Sequence, residues 1–159
     1  MARSLPQPSD GNLPRVVVVD DQPTFRQAAR LLLTARGYHV VAEAGCAATA
    51  LDAVERHAPE GVLLDVRLGG DDGFAVCDLL TRSRPELAVL LVSADEPVHL
   101  ERIARCGARG FVQKHRLLQI DFAEFWPPEL TVNEPRTALR QEGRPRAGRP
   151  GLPALGSWR

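Results

Sequence analysis

Five short apolar runs punctuate the chain, and helical periodicities fill the gaps between them. The first run, Val16 to Val19, is four β-branched residues without polar alternation, closed by Asp20. A strand with no alternation is buried on both faces, as in a parallel sheet. Pro23 suits the first turn of a helix. Phe25, Ala29, Leu32 and Leu33 then recur at helical spacing, and Gly37 marks the stop.

The same alternation repeats. Tyr38 to Ala42 predicts a second strand, and Ala47, Ala50, Leu51 and Val54 a second helix. GVLLD (Gly61 to Asp65) predicts a third strand, and Phe74, Cys77 and Leu80 a third helix that closes before Pro85. LAVLLV (Leu87 to Val92) predicts a fourth strand ending at Ser93, and Leu100, Ile103 and Ala104 a fourth helix stopped by Gly107. Gly110 to Val112 predicts a fifth strand that ends just before Lys114. A fifth helix is expected from about His115 to Phe125, ahead of Pro127-Pro128.

Strands alternating with helices predict an α/β fold with a parallel sheet and helices on both faces. Right-handed crossovers leave few topologies, and the expectation is a doubly wound five-stranded parallel sheet of order 2-1-3-4-5. In such sheets ligands sit outside the carboxyl ends of the strands. Asp20-Asp21, Asp65, Ser93 and Lys114 all stand at those ends. Adjacent strands lie about 4.8 Å apart, so the three carboxylates are expected to converge beside a hydroxyl and an ammonium. Two unit charges about 4 Å apart repel by about 4 kcal/mol at an effective dielectric near 20. A hard divalent cation offsets that repulsion, and a few carboxylates plus waters suit Mg²⁺. One carboxylate then remains a nucleophile, with Lys114 and Ser93 to hold phosphoryl oxygens. The cluster reads as an aspartyl-phosphate site.

Composition narrows the function class. Lys+Arg and Asp+Glu are 20 each, so the formal net charge is zero and there is no global basic field for nucleic acid or an anionic membrane. No apolar run approaches the roughly 18 residues of a membrane span. Met1 to Leu13 is polar and carries Pro6, Pro8 and Gly11, which is not the pattern of a secretory signal. Cys46, Cys77 and Cys106 are far apart and odd in number, which predicts reduced thiols in a cytoplasm. Of the 20 basic residues only Lys114 is a lysine, so this ammonium stands out against an arginine background. His39, His57, His99 and His115 have no ligand spacing, and Asp71-Asp72 is expected to be a solvated turn ahead of the third helix.

The motifs VVVVDD (Val16 to Asp21), LLD (Leu63 to Asp65), DG (Asp72-Gly73), VSA (Val92 to Ala94) and GFVQK (Gly110 to Lys114) resemble, at this spacing, the receiver domain of bacterial two-component response regulators. The resemblance covers about residues 14–125. It implies a flavodoxin-like three-layer sandwich, and the strand order above is in part an expectation drawn from this family. It implies Asp65 as phosphoacceptor, and Mg²⁺ held by Asp20, Asp21, Asp65 and the main-chain carbonyl of Arg67. Lys114 would contact the phosphoryl group, and Ser93 would hydrogen-bond it once attached. Phe111 would be the aromatic switch that follows Ser93. The Arg67 and Asp95 side chains would tune autodephosphorylation. The partners implied are a sensor histidine kinase and a second copy or an output protein on the face of helix 4, strand 5 and helix 5. Such a domain catalyses its own phosphorylation and dephosphorylation and is not a turnover enzyme. Two positions depart from the family pattern. Gly69 stands where many receivers have proline, and His115 where proline often follows the lysine.

Rival readings fit less well. A dinucleotide-binding fold needs a glycine-rich turn after the first strand, but the turn here is DDQPTF (Asp20 to Phe25). A haloacid-dehalogenase-type phosphatase would have a second Asp at position 67, which is Arg. The expected organisation is a disordered arm over 1–14, the receiver over 15–125 and a disordered Pro/Arg-rich tail over 126–159. Residues 143–159 hold Arg144, Arg146, Arg149 and Arg159 without Asp or Glu, and lack the apolar period of a helix-turn-helix. Two expectations follow: a stand-alone receiver that docks to other proteins, or a truncated or frameshifted DNA-binding transcriptional regulator whose output domain is missing.

Overall fold

A computed structural model of the chain describes residues 13–94 and 100–127. The bulk of the expected arm, the tail beyond Pro127, and Asp95 and His99 lie outside the described residues.

Five strands and four α-helices alternate. They are β1 (Arg15–Val19), α1 (Pro23–Ala35), β2 (His39–Ala44), α2 (Ala47–His57), β3 (Gly61–Asp65), α3 (Gly73–Ser83), β4 (Ala88–Ser93), α4 (Leu100–Arg105) and β5 (Gly110–Gln113). The strands form one parallel sheet in the order β2-β1-β3-β4-β5, as expected from the βα repeat. Between β3 and α3 a small antiparallel ribbon pairs Arg67 with Asp72 and Leu68 with Asp71.

The apolar runs are continuous because both faces of the sheet are covered. Val17 and Val19 face one core with Leu64, Val89, Leu91 and the inner sides of α2 and α3. Val16 and Val18 face the other with Leu63, Leu90, Val92 and the inner side of α1. Successive side chains of one strand thus feed opposite layers. No helix among the described residues is long and apolar enough to cross a membrane.

The fifth helix is the main correction. The segment folds instead as two 3₁₀ turns, Lys114–Gln119 and Phe122–Glu124. Leu117, Phe122 and Trp126 are all buried in the same core as α1. On an α-helix, at about 100° per residue, Leu117 and Trp126 would point in opposite directions. Ile120, with φ −87° and ψ 157°, breaks the turn. Asp121 restarts it by accepting the Ala123 N–H at 3.0 Å. The break lets all three side chains enter one core.

Trp126 also moves the boundary placed at residue 125, because it is fully buried. Its ring stacks on Phe122 with centroids 5.5 Å apart. At the other end Pro14, assigned to the arm, is buried and accepts the His39 N–H at 2.8 Å.

Candidate functional site

The parallel registers bring the strand ends together. Val19 pairs with Leu64, so Asp20 and Asp65 are the next residues on adjacent strands. Asp65 pairs with Val92, and Ser93 with Gln113, the residue before Lys114. Asp20, Asp21 and Asp65 each offer a carboxylate oxygen, and these oxygens lie within 4.8 Å of one another. Asp20 and Asp65 are buried and Asp21 is exposed.

Asp20 is locked from both ends. Its Oδ1 accepts the Gln22 N–H at 2.8 Å, turning the chain into α1. Its carbonyl oxygen accepts Arg26 Nη1 at 2.6 Å. Asp65 Oδ1 accepts the Arg67 N–H at 3.1 Å. Lys114 Nζ lies 2.5 Å from Asp20 Oδ2 and 3.0 Å from Asp65 Oδ2. Its third neighbour is the Phe25 ring, with Nζ 4.2 Å from the centroid.

Burial pushes the Asp65 carboxyl up to about 6, against the Arg67 N–H and Lys114, which pull it down; the Asp20 charge adds to the rise. Burial lowers the Lys114 ammonium, but hydrogen bonds and charge from Asp20 and Asp65 outweigh it and leave the group above the ordinary lysine value. The pocket thus sets two buried acids and one exposed acid against a single cation. Asp20 Oδ2 is buried with the Lys114 ammonium as its ion-pair partner. An all-oxygen donor set of three carboxylates facing that one ammonium fits a hard divalent ion such as Mg²⁺.

The neighbouring loop is shaped by glycine. Gly69 opens the two-residue turn of the ribbon with φ +63°, a conformation closed to proline. The departure from the receiver pattern is therefore a different turn, not only a looser one. A Cβ on Gly73 would fall 2.1 Å from the Asp65 carbonyl oxygen. Only glycine lets α3 start against the strand that carries Asp65.

Other residues singled out in the sequence lie at or beyond the rim. Ser93 is buried at the end of β4. Phe111 is half-buried against the core on the α2–α3 side, alongside Ile103 and Ala108. Arg67 is exposed, and its N–H serves Asp65. Asp71 and Asp72 stay out of the carboxylate cluster and act as caps. Asp71 Oδ2 accepts the first N–H of α2, from Ala47, at 2.9 Å. Asp72 Oδ1 accepts the Phe74 N–H at 3.0 Å, and its other oxygen pairs with Arg102 of α4.

Sequence reasoning missed Phe25, Arg26 and the capping role of Asp71. The first two sit one turn after the Asp20-Asp21 pair on α1, a spacing that could have flagged them. Asp71 caps a helix 24 residues away in sequence, and no local signal marks it.

Fold and pocket together define a doubly wound α/β domain with an acid cluster at the carboxyl rim of its sheet. Residues 16–119 match the response regulator receiver domain family, and the chain belongs to it. It is 40% identical over 102 residues to the "Probable transcriptional regulatory protein NarL" of Mycobacterium tuberculosis, covering 63% of this chain and 47% of that protein. The solved signal receiver domain of NarL from Mycobacterium tuberculosis superposes with a TM-score of 0.61 at 34% identity, covering 77% of this chain and 99% of that one. A LuxR-family two-component response regulator from Aurantimonas sp. SI85-9A1 gives a TM-score of 0.61 at 29% identity, covering 64% and 74%. The chain spans about half the length of the curated relatives it matches. Receiver domains are regulatory modules, not turnover enzymes, and they work with histidine kinases and output domains.

Proposed function

We propose that this chain is the phosphorylation-controlled receiver of a cytoplasmic two-component system, with Asp65 as the acceptor of a phosphoryl group from a kinase phosphohistidine. The observation that carries the reading is the meeting of Asp20, Asp21 and Asp65 with the lone lysine, Lys114, at one rim of the sheet.

The chemistry follows from the charges. An Asp65 carboxylate oxygen attacks phosphorus in line; the new O–P bond forms as the N–P bond to the kinase histidine breaks. A carboxyl that titrates near 6 is still ionised, and so nucleophilic, at neutral pH. Asp20, Asp21, Asp65 and the Arg67 main-chain carbonyl would hold Mg²⁺, which would supply positive charge against the phosphoryl oxygens. Lys114 supplies the second positive charge, from within reach of Asp65. Ser93 hydrogen-bonds the phosphoryl group after transfer, and Phe111 repacks as the Ser93 loop moves in. The added charge biases a surface built on α4, β5 and the 3₁₀ segment that stands in the place expected for a fifth helix. The same residues would assist the chain's own dephosphorylation.

A second reading is favoured by the relatives. Those named transcriptional regulators are about twice the length of the matched region, so the receiver would be the regulatory half of a DNA-binding regulator. A helix-turn-helix encoded downstream, in frame or shifted, would favour it over the stand-alone module.

Intact-mass labelling with acetyl phosphate, with and without Mg²⁺, tests the main proposal. One phosphoryl group should add in Mg²⁺ only, and none to Asp65→Ala. Undiminished labelling of that variant would overturn the assignment.

A further inference from the structure

We infer that Phe25 is a positioning residue for Lys114: its ring face gives the ammonium an uncharged seat, on which Lys114 is held while its carboxylate partners are engaged elsewhere. The inference rests on the phosphoryl-acceptor reading above and deepens it.

Among the described residues, Lys114 Nζ meets Asp20 Oδ2 at 2.5 Å, Asp65 Oδ2 at 3.0 Å and the Phe25 ring centroid at 4.2 Å. The proposed reaction makes demands on the first two. Asp20 is wanted by the divalent ion, and Asp65 becomes the acyl phosphate. Of these three contacts, the ring is the one that the reaction leaves intact. Without it, an ammonium on a flexible four-carbon stem would regain rotamer freedom in the interval between losing the carboxylates and meeting the phosphoryl oxygens. With it, the charge stays over the negative face of an aromatic ring, well inside the about 6 Å range of that attraction.

The ring is itself fixed. Phe25 is the third residue of α1, whose start is set by Pro23 and by the Gln22 N–H on Asp20. Its inner edge packs on the core formed by α1 and the 3₁₀ segment. Thus the turn that aims Asp20 also aims the ring, and one piece of backbone sets both the acid and the seat of the base. Lys114 is 14% exposed, so little water competes for the ammonium. A leucine would fill much of the same volume but carries no negative face.

Two measurements on the full chain test this. The first is the limiting rate of labelling by acetyl phosphate in saturating Mg²⁺. Phe25→Leu should slow it about 5- to 20-fold, and Phe25→Tyr should stay within about twofold of the parent. Phe25→Met, a second apolar replacement, should behave as leucine does. The second is a urea-unfolding cycle, in which the cost of Phe25→Leu should shrink when Lys114→Met is already present. Leucine, methionine and tyrosine variants slowed alike, with an additive cycle, would show that the ring face gives the ammonium nothing and would overturn the inference. A parent that labels, together with Phe25→Leu and Phe25→Met at the parental rate, overturns the inference alone. A parent that does not label overturns the phosphoryl-acceptor reading, and this inference with it.

Discussion

Trp126 Nε1 donates to the Ala88 carbonyl oxygen at 2.9 Å, tying the close of the 3₁₀ segment to the first residue of β4. The Tyr38 hydroxyl donates in turn to the Trp126 carbonyl at 3.1 Å. Trp126→Ala should therefore cost about 3–5 kcal/mol of unfolding free energy in urea. Trp126→Phe should cost less, keeping most of the apolar volume but leaving the Ala88 oxygen without that donor.

The Asp65 carboxyl gives stability a pH slope. In metal-free buffer it titrates near 6 rather than at its ordinary 3.8, with burial the leading cause. The folded chain holds this proton more tightly than the unfolded chain. The group therefore favours folding most at low pH, and that contribution is lost as the pH rises from 3.8 through about 6. Asp65→Asn should remove the slope and raise stability by roughly 1–3 kcal/mol at neutral pH relative to mildly acid pH. Urea unfolding at the two pH values, with a chelator present, checks it.

Asp72 has two jobs of unequal weight. Removing the cap with Asp72→Ala should cost about 1 kcal/mol. Arg102→Ala should cost less than about 1 kcal/mol, with the difference shrinking in high salt, because the Asp72–Arg102 pair is half exposed. Thermal unfolding of both variants at low and high ionic strength separates the two effects.

Gly73→Ala forces a methyl group against the Asp65 main chain, 2.1 Å from its carbonyl oxygen. A loss of about 1–3 kcal/mol is expected from overpacking. Since the displaced backbone carries Asp65, labelling by acetyl phosphate should slow as well. An unchanged labelling rate in a folded variant would mean that α3, and not β3, gives way.

The sheet and the acid cluster were legible because both are written in local runs. An unbroken apolar stretch ending in Asp names a buried strand and its rim residue at once, as at Val16 to Asp20 and Gly61 to Asp65. The closing segment was not legible, since Leu117, Phe122 and Trp126 fit no single period and their common burial needs the break at Ile120. The cap made by Asp71 and the ion pair of Asp72 were hidden for another reason: their partners, Ala47 and Arg102, lie on other elements. Phe25 reads as core by its spacing, and only the arrival of Lys114 from the far end of the sheet gives its outer face a task.

Arg36, at the C-cap of α1, donates from Nη1 to the Ile120 carbonyl at 2.9 Å and from Nη2 to the Leu118 carbonyl at 2.7 Å. A continuing α-helix would serve such acceptors with its own amides. Here a neighbour's guanidinium does so, which makes the closing segment a dependent of α1 and not a self-sufficient unit. Amide exchange through 118–126 should accordingly rise and fall with that of the first helix, so that the two ends of the domain open as one.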